Sequence, residues 1–364
     1  MSQVSNILKR DKELFFNDLD SECKNFFTTS DINLIADFTE YNPLHNGHFH
    51  CMKTAKHMFP DSLFVAIVPG LFERSGRGIP YILPREIRAE IAISVGADIV
   101  VEGPPMGIMG SGQYSLCLCK MFKALNTDYI PRGYKPIEGF DEILKRINMG
   151  HHIAPKPYKI IDKTTNEIIL RDKLEEDNYV ITSFSNSLSK IGFDYTNKFI
   201  FVERIEGVSG TLIRESILND NFDDVLDMMP SKTIEVLKRE IKNDSIIYGI
   251  RDVESILDTA NNYGLDELSA LNLFNDKLAK SISDNGPYDS LDQLEKSILH
   301  GFSSHFHQRV LSILENPIPK KTISQYIDNY PSNIRVLGYK DDETLEKFIK
   351  KVNNENISLF NGLK

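Results

Sequence analysis

The chain of 364 residues is long enough for two domains of ordinary size. Its composition, with 41% hydrophobic and 26% charged residues, is that of a folded globular protein and excludes a disordered one. The net charge of -10 excludes a general positive field for nucleic acid, although it leaves room for a local basic groove. The composition therefore favours an enzyme that acts on small molecules, without excluding RNA.

No apolar run is long enough to cross a bilayer, and residues 1–31 lack the apolar core and cleavage site of a secretory signal. We expect a cytoplasmic protein without a membrane partner. The four cysteines form no disulfide pattern, and Cys117 and Cys119 are spaced wrongly for paired zinc ligands, so reduced thiols are expected. The adjacent His151 and His152 do not converge on a metal and are interpreted as a surface loop. No protein-bound metal site is predicted.

Strands and helices alternate through the first part of the chain. Two amphipathic helical patterns at residues 5–19 and 22–27 predict a helical N-terminal extension, residues 1–30. The alternating order that follows predicts βαβ units and an α/β domain with a Rossmann-like open parallel sheet over residues 31–220. Its predicted strands are 33–38, 62–68, 98–102 and 198–202, and its predicted helices begin at His48 and cover 85–95, 114–125 and 210–218.

Two later segments depart from this alternation. Residues 134–178 carry mixed charge, two prolines and a polar stretch at 162–167, which predicts an insertion with one hairpin. From residue 221 to 364 helical patterns dominate, which predicts a mainly helical C-terminal domain. Strand, helix and strand patterns at 333–338, 343–352 and 357–360 predict a small closing β-α-β element at its end.

The first chemical motif is His45-Asn46-Gly47-His48, where the first strand leads into the next helix. Such a turn in a parallel sheet presents backbone N–H groups and the positive end of the helix dipole to anions. The two histidines can donate hydrogen bonds to phosphate oxygens, and Gly47 lets a nucleotide approach the backbone closely. We therefore predict a nucleotide phosphate site with His45 and His48 as catalytic residues.

The second motif, Ser209-Gly210-Thr211-Leu212-Ile213-Arg214, also follows a strand and opens a helix. Ser209 and Thr211 offer an N-cap and hydroxyl donors, and Arg214 lies one turn further along. Alone, this pattern is ordinary helix capping. Combined with the first motif, it predicts a second set of catalytic side chains, Ser209, Thr211 and Arg214, that holds the β- and γ-phosphates of a bound nucleotide.

Together the two motifs resemble the HxGH nucleotidyltransferase superfamily. More closely, the chain resembles the tRNA(Met) cytidine acetate ligase family, in segments at 40–48, 70–76, 88–90, 96–105 and 335–339 that keep the same order over most of the chain. The resemblance implies an α/β fold with a Rossmann-like sheet of this type, followed by a helical domain. It also implies an enzyme that activates acetate with ATP as acetyl-adenylate and then acetylates N4 of the wobble cytidine of elongator tRNA(Met).

The resemblance further implies the residues that contact ATP. Outside the loop of residues 37–50, the implied contacts are Gly133, Asn186 and Arg204. Gly133 is equally compatible with a simple turn, because the Gly-Ser-Glu of the family is absent here. Within the loop, the implied ATP-binding residues are Phe38, Thr39, Glu40, Tyr41, Asn42, Pro43, Gly47 and His48.

Several other basic side chains admit two interpretations. Arg74 and Arg77, in a glycine-rich loop, either meet a substrate or RNA phosphate or lie in a solvated loop. Arg88 is compatible with a surface charge pair with Glu90. Residues 107–112 form either a loose connection or a loop that shapes a pocket for a small carboxylate.

One departure from the family bears on tRNA. The bacterial ligases carry a basic stretch before a C-terminal helix, whereas residues 302–310 of this chain contain a single arginine, Arg309. Because Lys and Arg make most phosphate contacts, this difference weakens the expectation that tRNA is bound.

The predicted reaction is attack on the α-phosphorus of ATP, with Mg²⁺ held mainly through the phosphates and water. Asn186 and Arg204 would hold the adenosine or the phosphates. The partners are ATP, a small carboxylate such as acetate or a phosphorylated metabolite, and tRNA in the first case. The alternatives are an adenylyl- or cytidylyltransferase that acts on a small phosphorylated metabolite, and a nucleotide-binding protein with a decayed site. The acceptor, the choice between ATP and CTP, and the oligomeric state stay open.

Overall fold

The computed structural model describes residues 3–21, 31–172, 174–298, 304–352 and 357–360. Its strands are β1 Leu34–Phe38, β2 Leu63–Pro69, β3 Ile99–Gly103, β4 Ile130–Tyr134, β5 Ile153–Lys156, β6 Lys159–Asp162, β7 Glu167–Leu170, β8 Phe199–Glu203, β9 Ile334–Tyr339 and β10 Ile357–Leu359.

The helices of the first part are α1 Gln3–Asp20, α2 Asn46–Met58, α3 Arg85–Ser94, α4 Ser111–Ala124, α5 Phe140–Asn148, α6 Glu176–Lys190 and α7 Gly210–Leu218. Those that follow are α8 Ser231–Lys242, α9 Val253–Asn262, α10 Leu265–Ala270, α11 Asp276–Asn285, α12 Leu291–Ser297, α13 Ser304–Glu315, α14 Lys320–Asn329 and α15 Asp342–Val352. Short 3-10 helices lie at Leu71–Glu73, Met106–Ile108 and Phe222–Met228.

The central sheet has the strand order β1-β2-β3-β9-β10. β1, β2 and β3 are parallel to one another, and every residue of these three strands is buried. Burial on both faces explains why their sequences are nearly continuous apolar runs, and it requires cover on both sides. The predicted α/β fold with an open parallel sheet is confirmed, with two strands, β9 and β10, that run antiparallel to the other three.

A second parallel pair, β4 and β8, lies beside β1. The amide of Ala36 donates to the carbonyl oxygen of Tyr129 over 2.9 Å, which ties the residue before β4 to the β1 edge. The carboxyl ends of β1, β4 and β8 therefore meet at the same edge, where a parallel α/β sheet forms its crevice.

The insertion is larger than the sequence predicts. β5, β6 and β7 form a three-stranded antiparallel sheet, so it contains two hairpins and the helix α5 rather than one hairpin. The polar stretch at 162–167 provides the second turn, which joins β6 to β7. The new sheet contacts α6, where the amide of Ile153 donates to Ser185 Oγ over 3.2 Å.

Helix α1 packs against the central domain. Asp11 of α1 is fully buried and accepts hydrogen bonds from Arg85 Nη2 over 2.7 Å and from the Phe72 amide over 2.7 Å. Buried arginines are stable only when they are paired, so α1 supplies a counter-ion that the rest of the domain needs. The second helix predicted here, at residues 22–27, lies outside the described residues.

Arg88 is not a surface residue, contrary to the pairing considered from the sequence. Its side chain is fully buried, and its Nη2 donates to Glu73 over 2.9 Å and to the Pro69 carbonyl over 2.7 Å. Glu90 points the other way and pairs with Arg239 over 2.7 Å. Residues two apart on a helix are about 200° apart around its axis, so both cannot face the same surroundings.

The β-α-β element near the end does not stand apart in the helical region. β9 pairs antiparallel with β3 and parallel with β10, so it extends the central sheet. Arg335 of β9 pairs with Glu102 of β3 and, over 2.8 Å, with Asp18 of α1. Within the described residues, no helix is both long and apolar enough to cross a membrane.

Candidate active site

His45 and His48 close the first turn of α2 with their own rings. His45 is the N-cap, and its Nδ1 accepts a hydrogen bond from the Gly47 amide over 3.2 Å. His48 Nδ1 accepts from the His45 amide over 3.4 Å. The two imidazoles are stacked, with ring centroids 3.7 Å apart and planes 13° from parallel. This arrangement is a capping box in which imidazole nitrogens are the acceptors.

Burial and the capping bonds together determine the protonation of both rings. Burial, with the nearby charges of Arg204 and Arg214, lowers the pKa of His45 to about 4. Burial and the neighbouring His45 hold the pKa of His48 well below its usual range. Both rings are therefore neutral near pH 7, and because each Nδ1 accepts a hydrogen bond, each proton resides on Nε2. Each ring thus offers one Nε2–H donor.

The second motif meets the first. A Cβ placed on Gly210 would lie 3.4 Å from His45 Cδ2 and 3.3 Å from Arg214 Nη1. Arg214 Nη1 donates to the Asn42 carbonyl over 2.6 Å, and Nη2 donates to Thr211 Oγ1 over 3.0 Å. Hence the N-terminal ends of α2 and α7 face each other across a short gap, as the sequence predicts.

A cavity of about 390 Å³ opens between these two helix ends. Its volume is in the range of ligand sites. Most predicted site residues line it: Phe38, Thr39, Glu40, Asn42, His45, Gly47, His48, Gly133, Arg204, Thr211 and Arg214.

Four predicted residues do not line the cavity. Ser209 is exposed and caps α7 by accepting from the Leu212 amide over 3.2 Å. Tyr41 is fully buried in the core beneath the loop, and Pro43 follows Asn42 in a cis peptide bond. Asn186 faces the insertion, where its Oδ1 lies 2.8 Å from His152 Nε2.

The geometry of α6 explains the position of Asn186. The cavity is lined by Asp177, Val180 and Phe184 of this helix, at spacings of three and four residues. Asn186 lies two residues beyond Phe184, about 200° around the axis, and so points to the opposite face. The ring of His151 is bonded to Asp162 over 2.7 Å and that of His152 to Asn186, so the two rings do not share a partner. In the part of the chain that is described, no group of three or more His, Cys, Asp or Glu side chains could hold a metal ion.

Arg132 is a cavity residue to which the sequence assigned no role. It lies on β4 beside Gly133, its Nη1 donates to the Phe38 carbonyl over 2.6 Å, and it is 3.5 Å from Asp37 Oδ1. Burial raises the pKa of Asp37 to about 7, against the opposing effect of Arg132. An arginine next to the implied ATP-binding glycine, at the carboxyl end of a strand, is the signal that could have identified it.

The loop of residues 75–79 and helix α13 form the wall on the other side. Gly76, Arg77, His305 and Arg309 line the cavity, and Arg309 Nε donates to the Gly76 carbonyl over 2.6 Å. Arg309, the single arginine that the sequence shows in the segment 302–310, therefore lies in the wall of the cavity. Glu40 closes the corner by accepting from the Gly76 amide over 2.8 Å.

Arg74 is not available to a substrate, contrary to the interpretation that it meets a substrate or RNA phosphate. Its side chain is fully buried and pairs with Glu315 of α13, with Nη2 2.7 Å and Nε 2.8 Å from the carboxylate oxygens. Gly107 packs directly against Arg74, and Met106 at the start of the same loop reaches the cavity. Residues 107–109 are buried, so this part of the connection is packed rather than loose.

Two family matches together cover most of the chain. Residues 33–136 match the family described as HIGH Nucleotidyl Transferase, and residues 135–338 match a Cytidyltransferase-related C-terminal region. An uncharacterized protein of Methanocaldococcus jannaschii is 47% identical over 312 residues, covering 84% of this chain and 85% of that protein.

The tRNA(Met) cytidine acetate ligase of Clostridium perfringens is 24% identical, covering 91% of this chain and 90% of the ligase. A crystal structure of Thermotoga maritima TmcAL bound with alpha-thio ATP has a TM-score of 0.71 at 18% identity, covering 90% of this chain and 85% of that one. These findings confirm the resemblance and the fold inferred from the motifs. The chain therefore belongs to the HIGH nucleotidyltransferases with the cytidyltransferase-related C-terminal region, as a divergent relative of the tRNA(Met) cytidine acetate ligases, and is a nucleotidyltransferase- or ligase-type enzyme.

Proposed function

We propose that the chain binds ATP in the cavity, joins acetate to the AMP part with release of pyrophosphate, and passes the acetyl group to N4 of the wobble cytidine of elongator tRNA(Met), with AMP as the leaving group. The observation that carries the first half is the stacked pair His45 and His48, whose Nε2–H donors lie where the ends of α2 and α7 face each other. Relatives named tRNA(Met) cytidine acetate ligase support the second half.

In the proposed first step, a carboxylate oxygen of acetate attacks the α-phosphorus, and the bond to the bridging oxygen of pyrophosphate breaks. His45 and His48 donate to the oxygens on which charge increases. Thr211, Arg214 and the first amides of α7 hold the β- and γ-phosphates. The protein forms no covalent bond to the substrate, so the rate depends on position and charge.

The nucleoside would extend towards β4 and β8. Gly133 and Arg204 line this end, and Arg204 pairs with Asp177 of α6. Asn186 has no part in the proposal, because its side chain is engaged with His152 on the far face of α6.

A Mg²⁺ ion fits the site as a companion of the triphosphate. The cavity carboxylates Glu40 and Asp177 are engaged with protein donors, and the third, Asp37, lies 3.5 Å from Arg132, so phosphate oxygens and water would supply most of its ligands. When bound, the ion would neutralise part of the charge of the pyrophosphate.

The test of this function is acetate-dependent exchange of labelled pyrophosphate into ATP. We expect exchange by the wild-type chain and a loss of about 10²–10³-fold in rate for His48→Ala, the range for removal of one donor to developing charge. His57→Ala, an exposed histidine in the last turn of the same helix, is the control and should keep the wild-type rate. Absence of exchange with every short carboxylate contradicts the proposal, and ATP binding without turnover indicates a decayed site.

A second candidate is an adenylyl- or cytidylyltransferase acting on a small phosphorylated metabolite. Arg77, Arg132 and Arg309 line the cavity in addition to Arg204 and Arg214, and this many cations suits an acceptor that carries a phosphate. The two candidates differ in what releases pyrophosphate. Release that needs a phosphorylated acceptor, with either ATP or CTP and without acetate, favours the second.

A further inference from the structure

The hairpin formed by β5 and β6 is basic, although the chain as a whole carries a net charge of -10. Lys156 and Lys159 occupy paired positions across the hairpin, and Lys163 follows β6. Between the two strands, Tyr158 adopts a left-handed backbone conformation with φ of 58° and is 75% exposed. We refer to Lys156, Tyr158, Lys159 and Lys163 as the hairpin patch.

The three lysines belong to one face of the insertion sheet. Along β6, Ile160 and Asp162 are 1% and 0% exposed and point inward, so Lys159 and Lys163 point the other way. Lys156 is directly opposite Lys159 and therefore shares its face. In the absence of a binding partner, like charges at such paired positions destabilise a hairpin.

The acidic residues Asp162, Glu167 and Glu142 are engaged by Arg146 rather than by the lysines of the patch, although one guanidinium group offsets only one of their three charges. Arg146 of α5 pairs with Asp162 over 3.1 Å, with Glu167 over 2.7 Å and with Glu142 over 2.7 Å. His151 adds a second partner for Asp162 at 2.7 Å. Within the described residues, Lys156, Lys159 and Lys163 have no carboxylate partner.

The sheet that carries the patch packs on the back of a helix that lines the cavity. The insertion sheet contacts α6 through the pairs Ile153 with Ser185 and His152 with Asn186, over 3.2 and 2.8 Å. Val180 and Phe184 on the other face of α6 line the cavity. Only the width of one helix, about 10–12 Å, therefore separates the insertion sheet from the candidate active site.

We propose that the hairpin patch binds the RNA acceptor, with the lysines on backbone phosphates and the Tyr158 ring stacked on a base. An exposed aromatic ring among unpaired lysines is the combination that recognises nucleic acid strands. This proposal rests on the proposed function, in which the acceptor is a tRNA. It places the RNA contact on the insertion, away from the segment around Arg309 where the bacterial ligases carry their basic residues.

The experiment measures binding of an elongator tRNA(Met) transcript to the full chain at several salt concentrations. For Lys156→Ala/Lys159→Ala/Lys163→Ala we expect the slope of log K against log salt to become shallower by about 2–3, since each phosphate contact contributes roughly 0.7–0.9. For Tyr158→Ala we expect an affinity lower by on the order of tenfold at an unchanged slope. The control is Lys232→Ala/Lys280→Ala, two exposed lysines on distant helices, and it should bind as the wild type does.

A second measurement separates this proposal from the proposed function. Acetate-dependent exchange of pyrophosphate into ATP needs no RNA, so the hairpin variants should exchange at the wild-type rate, which also shows that they are folded. Wild-type slope and affinity in both hairpin variants would overturn the hairpin proposal while leaving the function intact. A wild-type chain that exchanges acetate but binds no tRNA would overturn both the hairpin proposal and the choice of acceptor.

Discussion

Two imidazoles at the start of α2 combine a structural role with the chemical role that we propose for them. His45 accepts from the amide of residue 47, and His48 accepts from the amide of residue 45. Both rings thus satisfy backbone donors that a helix start leaves unpaired. The same bonds fix the proton of each neutral ring on Nε2. An Asn or Ser cap would satisfy the backbone equally well but would not supply these two Nε2–H donors at the site.

Acid should destabilise the protein through His45. Its pKa is lowered to about 4 in the folded state against 6.5 in an unfolded chain, so the unfolded state binds more protons as pH falls from 6.5 to 4. The free energy of unfolding should decrease over this interval by up to about 1.4 kcal/mol per pH unit from this group. We expect His45→Asn, which keeps an acceptor for the Gly47 amide, to lack that part of the decrease.

The measurement is urea unfolding of both chains at several values between pH 4.5 and 7.5. The difference between variant and wild type, rather than either curve, reports His45, because other groups titrate in both proteins. A difference that does not change with pH would contradict the lowered pKa.

Three buried arginines show why residue type alone does not identify a site. Arg74, Arg85 and Arg88 are among the largest side chains with less than 2% exposure, and each is paired with buried carboxylates. Arginine in a loop or on a helix is usually exposed, which is why the sequence suggested a phosphate contact or a solvated loop for Arg74 and a surface pair for Arg88. Some of the carboxylates that pair with them come from distant segments of the chain. Glu315, for example, is 241 positions away from Arg74.

The contact between the 75–79 loop and α13 is the element that closes the cavity. Gly78 has a φ of 77°, and a Cβ at this position would collide with the backbone nitrogen of Arg309. Ser312 Oγ and Arg251 Nη2 both donate to the Gly78 carbonyl, over 2.8 and 2.5 Å. The loop that carries Arg77 is therefore held against the helix that carries Arg309.

Gly78→Ala should separate this loop from α13. Gly192→Ala is the matched control, because Gly192 also has a positive φ, 63°, but open space where its Cβ would lie. Both variants incur roughly 1–2 kcal/mol for a left-handed alanine. Both variants should therefore be less stable, but only Gly78→Ala should also lower the rate of pyrophosphate exchange. Equal thermal shifts and equal exchange rates for the two variants would show that the loop contact is unimportant.

Glu315 of α13 joins this helix to the same region of the chain through buried ion pairs. Its carboxylate is fully buried, pairs with Arg74 over 2.7 Å and with Arg251 over 3.2 Å, and accepts from the Asp252 amide over 2.7 Å. Glu315→Ala leaves two buried guanidinium groups without their carboxylate, so we expect a loss of about 3–5 kcal/mol in the free energy of unfolding. Glu346→Ala, an exposed position on α15, should change it by less than about 0.5 kcal/mol. Chemical denaturation measures both.

On the scale of the molecule, the two ends of the chain meet on the central sheet. β9 and β10 extend the sheet beside β3, and Arg335 of β9 bonds to Glu102 of β3 and to Asp18 of α1. α13 meanwhile contributes His305 and Arg309 to the cavity. The α/β region before residue 220 and the mainly helical region after it are therefore joined by a shared sheet and by charge pairs.

We expect the α/β and helical parts to unfold together. The shared sheet and the buried charge pairs across residue 220 couple their stabilities, because these hydrogen bonds and ion pairs form only when both parts are folded. Calorimetry should show one transition whose midpoint agrees with near-UV circular dichroism. Two separate transitions would instead favour independent domains. Glu315→Ala should move the single transition to lower temperature without splitting it.

The sequence by itself determined most of the local elements and the starts of the two helices that meet at the cavity. Apolar runs and the motifs at His45 to His48 and Ser209 to Arg214 depend on neighbours within a few residues, and such patterns are readable along the chain. Only the tertiary structure decided which arginines are buried, that Asn186 faces away, that Arg132 and α13 line the cavity, and that β9 joins the first sheet. These facts depend on contacts between residues far apart in the chain, where burial and paired charge, rather than local pattern, fix the outcome.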